Sequence, residues 1–300
     1  MPQRLIVCQK GPLDLAGTLY PMVRGGSDPT ARVRPGEAWR AARTPDGPAT
    51  LRLISRSSDA VEAQAWGPGA DRALDTAPDL IGAGDTAEGF VPLHPVVEEA
   101  WRRCRGVRIT RSRDVTRTLM AAILEQKVTG IEARRAWRGL VLAHAEPAPG
   151  PSDLLLPPDP ARVAEMPYFA MHPLGVERRR AEVLRAACAR ASRIEALCDD
   201  PPREARAWLE RLYDIGPWTA AQVAHIALGD ADAVSVGDFH MPHMVCWALA
   251  HEPRGTDERM LELLEPYRGH RARVQRLLLA SGVAAPRFGP RQEPAGIEGY

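Results

Sequence analysis

The spacing of apolar and polar positions changes near residue 90, and that change divides the chain. Before it, short apolar runs such as LRLIS (51–55) and VEAQAW (61–66) are separated by turn chemistry: RGGSDP at 24–29, TPDGP at 44–48 and Gly67-Pro68-Gly69. Thr50 to Ser55 and Val61 to Trp66 alternate approximately, as half-buried strands do. Gly69 to Leu80 has room for one short helix, and GAGDTAEGF (82–90) reads as a linker. The pattern predicts a small α+β domain over residues 1–90, built on an antiparallel sheet.

From Pro95 the spacing becomes helical. Val96, Val97, Ala100 and Trp101 fall on one side of a first helix, and Val115, Leu119, Ala122 and Ile123 on one face between Asp114 and Glu125. A third helix opens at Thr129 or Gly130 and runs through Ala136, Trp137, Leu140 and Val141. A proline-rich loop (146–160) leads into a short helix at Pro160, a residue suited to a first helical position. Gly175 to Ala191 is amphipathic, with Val183, Leu184 and Ala187 inward and Arg178-Arg179-Arg180 assigned to its solvated face. Helices entering and leaving the turn Asp214-Ile215-Gly216, one after Asp238, one capped by Thr256 or Asp257 and one from His270 to Leu279 complete a helical domain over 91–285. Residues 286–300, rich in Pro, Gly and Arg, read as a disordered tail.

Composition narrows the possibilities. Apolar content of 45% with 26% charged residues is ordinary for a globular protein, and no apolar run reaches membrane-spanning length. The N-terminal segment lacks the apolar stretch of a signal peptide, so a cytoplasmic location is the expectation. Cys8, Cys104, Cys188, Cys198 and Cys246 are scattered without a CxxC pair, which excludes a zinc ribbon and a four-cysteine iron–sulfur cluster. The net charge is only +1, and Lys10 and Lys127 are the only lysines. Basic charge is instead arginine, concentrated at Arg102, Arg103, Arg105, Arg108, Arg111, Arg113 and Arg117. Such a cluster is either a solvated face or a phosphate-facing patch.

The chemistry concentrates between Arg206 and Leu249. Gly216 is the natural place for a positive φ, Pro217 suits the first helical position, and Gly229 closes the helix. Free amides near Gly216, Trp218 and Thr219 then face outward at a helix N-terminus, a geometry that binds phosphate or else forms an ordinary helical corner. Asp238 follows 22 residues after Gly216, at the mouth of the next helix. A capping Asp is held rigidly, and such a carboxylate also stabilises a cation developing at a sugar C1′ or orients water against it.

These residues carry a resemblance. IGPWTAAQVAHIALGDADAVSVGDFHMPHMV is similar to the helix–hairpin–helix plus Gly/Pro…Asp signature of the HhH-GPD DNA glycosylase superfamily, and LEQKVTG (124–130) resembles that family's second recurring segment. With the N-terminal α+β domain, the chain looks most like the 3-methyladenine DNA glycosylase II type. The resemblance implies that Gly216, Trp218 and Thr219 hold a DNA phosphate, with a monovalent cation at the hairpin near Asp214 and Gly216 as its one metal. It implies Asp238 as catalytic carboxylate, His240 as a phosphate contact, and Gln126 and Lys127 as DNA-facing residues, with Lys127 as the wedge behind a flipped base. Trp218, Gln222 and Phe239 are the implied base pocket.

Bifunctional relatives place a nucleophilic Lys where this chain has Trp218, so the resemblance points to a monofunctional enzyme for alkylated purines, without an organic cofactor, acting as a monomer on damaged duplex DNA. Cation–π attraction and stacking suit an electron-poor base. The alternatives are a non-catalytic lesion-binding module and an 8-oxoguanine-type enzyme, the latter suggested by His240. Three residues depart from the family pattern: Asp214 replaces the hairpin's first Gly, Gln222 an aromatic, and Arg276 a second aromatic.

Overall fold

The computed structural model describes residues 2–286. Five strands near the N-terminus make one antiparallel sheet in the order β1-β5-β4-β3-β2: β1 (Gln3–Cys8), β2 (Ala31–Arg34), β3 (Glu37–Thr44), β4 (Gly47–Ser55) and β5 (Ala60–Trp66). The β3–β4 hairpin closes with Thr44 opposite Gly47, whose φ of 120° a side chain would strain. Helices α1 (Leu15–Leu19), α2 (Ala70–Asp75) and α3 (Ala77–Leu80) join the sheet's core through Leu15, Leu74 and Leu80 against Leu51 and Leu53.

The expected strand alternation is only partly met, because the sheet is covered on both faces. β5 is buried from Val61 through Ala65. On one side Glu62 accepts from Gln64 and Arg56, while Trp66 stacks on Trp39 with ring centroids 5.5 Å apart. The proline-rich loop lies against this sheet: Leu155 N–H donates to Pro29 O, and Leu154 and Leu156 pack with Ala41 and Trp39. Residues 82–90 are likewise no free linker, since Asp85 accepts from Ile109 N–H and forms a buried ion pair with Arg273.

The helices divide between two further cores. One gathers α5 (Val115–Leu124), α6 (Gly130–His144), α7 (Pro160–Glu165), α8 (Tyr168–Met171), α9 (Arg178–Cys188), α10 (Ala191–Glu195), α11 (Pro202–Leu209) and α12 (Pro217–Ala227) around Leu119, Trp137, Leu184 and Val223. The other joins α4 (Pro95–Arg103), α13 (Met241–Ala250), α14 (Asp257–Leu264) and α15 (Arg271–Ala280) through Val97, Val245, Met260 and Val274. At the centre, α5 is buried along its whole length. Its N-terminal amides are capped from another helix, because the Asp114 carboxylate pairs with Arg40 at 2.5 Å while Glu195 accepts from Val115 and Thr116 N–H. Burial and the Asp114 carboxylate push the Glu195 carboxyl up to about 6.

The arginine cluster corrects both readings of it. Only Arg102, Arg103 and Arg105 are exposed. Arg108 is buried and donates to the carbonyls of Lys10, Gly11, Pro12 and Gly82. Arg117 is buried against Thr30 Oγ and the Trp137 ring, and Arg111 donates to Cys198 O. Arg108 and Arg117 are struts between the sheet domain and the rest, and Arg111 ties the segment before α5 to the helical part, because a guanidinium forced out of water must find acceptors. The proposed tail over 286–300 lies outside the described residues except for Pro286. No helix among the described residues is long and apolar enough to cross a membrane.

Arg108→Ala should unfold at lower urea with an unchanged slope, losing about 2–4 kcal/mol through its stranded carbonyls. Arg102→Ala, in the same cluster but exposed, should stay within about 0.5 kcal/mol of wild type.

Candidate active site

The turn between α11 and α12 is set by one left-handed residue. The positive φ expected at Gly216 is instead at Asp214, with φ of 57°, while Gly216 is extended at φ −88° and ψ 178°. Asp is one of the few side chains that tolerates this region, so it replaces a glycine there at modest cost. Its carbonyl accepts from Gln126 Nε2 at 3.0 Å, and its carboxylate receives Arg179 Nε at 2.7 Å and Nη2 at 2.5 Å. These bonds hold the carboxyl below the usual range, through Arg179 first, with Lys127 adding to the effect. The pair also occupies the carboxylate that the resemblance would set beside a monovalent cation. Among the described residues no three His, Cys, Asp or Glu side chains converge as metal ligands.

Gly216 has no conformational need to be glycine, and a Cβ built on it would meet nothing within 4 Å. The residue itself is exposed. No side chain caps α12, Pro217 occupies its first position, and Ala220 N–H is the first to bond back, onto Gly216 O. The amides of Gly216, Trp218 and Thr219 therefore belong to the unsatisfied first turn, where partial positive charge accumulates. Gln126 Nε2 also donates to Thr219 Oγ at 3.0 Å, so this predicted DNA contact ties the α5–α6 turn to the hairpin from inside. Lys127, beside it, is exposed with φ of 53° and is free to project.

Asp238 is held by groups from two elements. Its Oδ1 accepts from His240 and Met241 N–H, each at 2.8 Å, as a cap at the start of α13. Its Oδ2 accepts from Trp218 Nε1 at 2.9 Å. Trp218, expected as a base-facing ring whose amide holds a phosphate, is thus also the donor that aims the carboxylate. The loop carrying Asp238 hangs from neighbouring elements: Asp232 accepts from Gly269 N–H and Arg271, Ser235 N–H donates to Gln275 Oε1, and Gly237 N–H donates to Asp257.

Trp218, Gln222 and His225 recur at helical spacing on one face of α12. Gln222 Nε2 donates to Ser235 Oγ at 3.2 Å. Loss of solvent, then the Arg276 charge, holds the His225 imidazole down to about 4, so it is neutral near pH 7. Arg276 does not take an aromatic's place beside it, since its guanidinium crosses to Gly17 O on α1. Phe239 is 77% exposed with its ring edge-on to His240, which is also exposed; it stands in solvent rather than lining a closed pocket.

The triple arginine 178–180 was assigned to a solvated face, and the structure splits it. Arg178 covers the Tyr168 ring, Arg179 clamps Asp214, and buried Arg180 donates to Leu124 O and Gly175 O. A signal was present: consecutive helical residues lie about 100° apart, so three in a row cannot share one face.

No family model matches this sequence, and no curated protein sequence matches it significantly. Solved structures do match in shape. Against a 3-methyladenine DNA glycosylase from Archaeoglobus fulgidus the TM-score is 0.76 at 17% identity, over 93% of this chain and 99% of that one. An 8-oxoguanine glycosylase/lyase from Clostridium acetobutylicum, in its apo-form, gives 0.71 at 12% identity over 93% and 97%. A 3-methyladenine DNA glycosylase from Schizosaccharomyces pombe in complex with abasic-DNA gives 0.53 at 16% identity over 65% and 96%. The chain shares the α+β fold of these solved DNA glycosylase structures.

Gln126→Ala should free Asp214 O and Thr219 Oγ together. Amide exchange at Trp218 and Thr219 should quicken, with a stability loss of about 1–2 kcal/mol by urea titration.

Proposed function

We propose that this protein is a monofunctional DNA glycosylase that hydrolyses the N-glycosidic bond of a flipped, damaged purine nucleotide. The observation that carries the reading is the Asp238 carboxylate, aimed by two backbone amides and the Trp218 indole at a helix mouth. The open N-terminus of α12 is a phosphate seat beside it, and exposed Lys127 on the neighbouring turn is the residue we assign to the gap left by the flipped base. In the proposed reaction the bond electrons leave with the base and C1′ becomes oxocarbenium-like. Asp238 stabilises that charge, and the unshared lone pairs on its Oδ2 accept a proton from attacking water. The products are free base and an abasic site.

Trp218 has no amine to form a Schiff base, which supports hydrolysis without strand cleavage. Its ring also suits a positively charged alkylated purine, whose departure as a neutral base needs little acid assistance. A second reading has its own support: Gln222 and neutral His225 form a polar side on α12, joined by Ser235 of the Asp238 loop and suited to a base read by hydrogen bonds, and the fold is shared with an 8-oxoguanine glycosylase/lyase.

Single-turnover assays on duplexes carrying 3-methyladenine, 7-methylguanine, hypoxanthine, ethenoadenine or 8-oxoguanine test both. Release of the methylated bases, with no borohydride-trapped adduct, is expected. Asp238→Asn should slow release by about 10²-fold or more yet keep affinity for an abasic-analogue duplex. Trp218→Phe, which keeps a ring but loses the donor, should slow release about tenfold. Full excision by Asp238→Asn would refute the proposal, and binding without release by wild type would make the chain a lesion-binding module.

A further inference from the structure

A carboxylate in a phosphate-binding turn is an electrostatic contradiction, and Asp214 is one. It lies two residues before Gly216, which is exposed and opens the first turn of α12. Two unit charges of like sign repel over a range of about 10 Å at 0.1 M salt. Unopposed, the Asp214 charge would therefore work against any phosphate reaching the α12 amides.

The charge is opposed. Arg179 grips both carboxylate oxygens, at 2.7 and 2.5 Å, in the fork geometry that a guanidinium matches to a carboxylate. Its two neighbours cannot substitute, because Arg178 lies over Tyr168 and Arg180 is buried against Leu124 O and Gly175 O. The backbone at Asp214 is fixed in the left-handed region with its carbonyl bound to Gln126, so the residue stays in the turn. The Arg179 side chain is 57% exposed, so its removal opens no cavity in a core.

We propose that Arg179 is a positioning residue for DNA binding: by neutralising Asp214 it lets an acidic hairpin accept a phosphate, a task that a glycine at 214 would not require. This rests on the reading of the hairpin as a phosphate seat. Arg179 acts through Asp214 and not by touching DNA, which separates it from an ordinary basic contact.

Binding of the full-length protein to a duplex with a tetrahydrofuran abasic analogue, followed by fluorescence anisotropy across a salt series, tests this. Arg179→Gln should bind about tenfold more weakly at low salt, with the deficit shrinking as salt rises. Asp214→Asn should bind at least as tightly as wild type, because Asn keeps the left-handed turn without the charge. The double variant should return to within about twofold of wild type. Melting temperatures measured alongside identify any variant that binds weakly because it is unfolded, and Arg179→Ala then serves as a second removal of the charge.

The inference is overturned if a folded Arg179→Gln binds like wild type. It is also overturned if the double variant stays as weak as Arg179→Gln, since Arg179 would then contact the phosphate itself. Wild type that fails to bind the duplex would refute the proposed function, and this inference with it. Wild type that binds, with no rescue in the double variant, refutes this inference alone.

Discussion

Buried guanidinium groups hold this molecule in one arrangement. Arginine cannot shed its charge inside a protein, so each buried arginine demands several acceptors at defined positions. Here those acceptors lie across the seams between the three cores. Arg108 gathers carbonyls from the N-terminal segment and Gly82, Arg276 reaches from α15 to α1, and Arg273 pairs with Asp85, while within one core Arg180 secures the end of α5 from α9. Apolar packing alone would leave these seams free to slide, because burial of apolar area has no direction. The hydrogen-bond geometry of the arginines supplies it.

That rigidity matters because the site is assembled across a seam. Trp218 belongs to α12 in one helical core, and Asp238 sits in a loop hung from α14, α15 and the turn before α15, outside that core. The 2.9 Å bond between them therefore measures how the two halves are docked. The same logic applies at the hairpin, where Gln126 from the α5–α6 turn and Arg179 from α9 hold Asp214 from two sides. Side chains that look like surface decoration in the sequence are what orient the groups proposed to act.

Much of the element pattern was legible. The helix start at Thr129, the positive φ at Gly229 and the Thr256 cap all stand where local chemistry puts them. Asp238 as a helix-start carboxylate was equally legible, because the bonds that define a cap span two or three residues. The left-handed residue of the hairpin was misplaced by two positions, since glycine and aspartate compete for such a φ and only the chain's path decides between them.

What the sequence by itself determined was the helical and strand periodicity, the hairpin between two helices, and a lone carboxylate at the next helix mouth. These depend on interactions within a turn or two of chain. Only the tertiary structure decided what the long side chains do. An arginine spans enough distance to reach any of several elements, so Arg108, Arg117 and Arg179 became struts or clamps according to which acceptors folding brought near. Trp218 likewise became a partner of Asp238, and Gln126 a tie beneath the hairpin, through contacts between residues that are distant in sequence and adjacent only once the cores have docked.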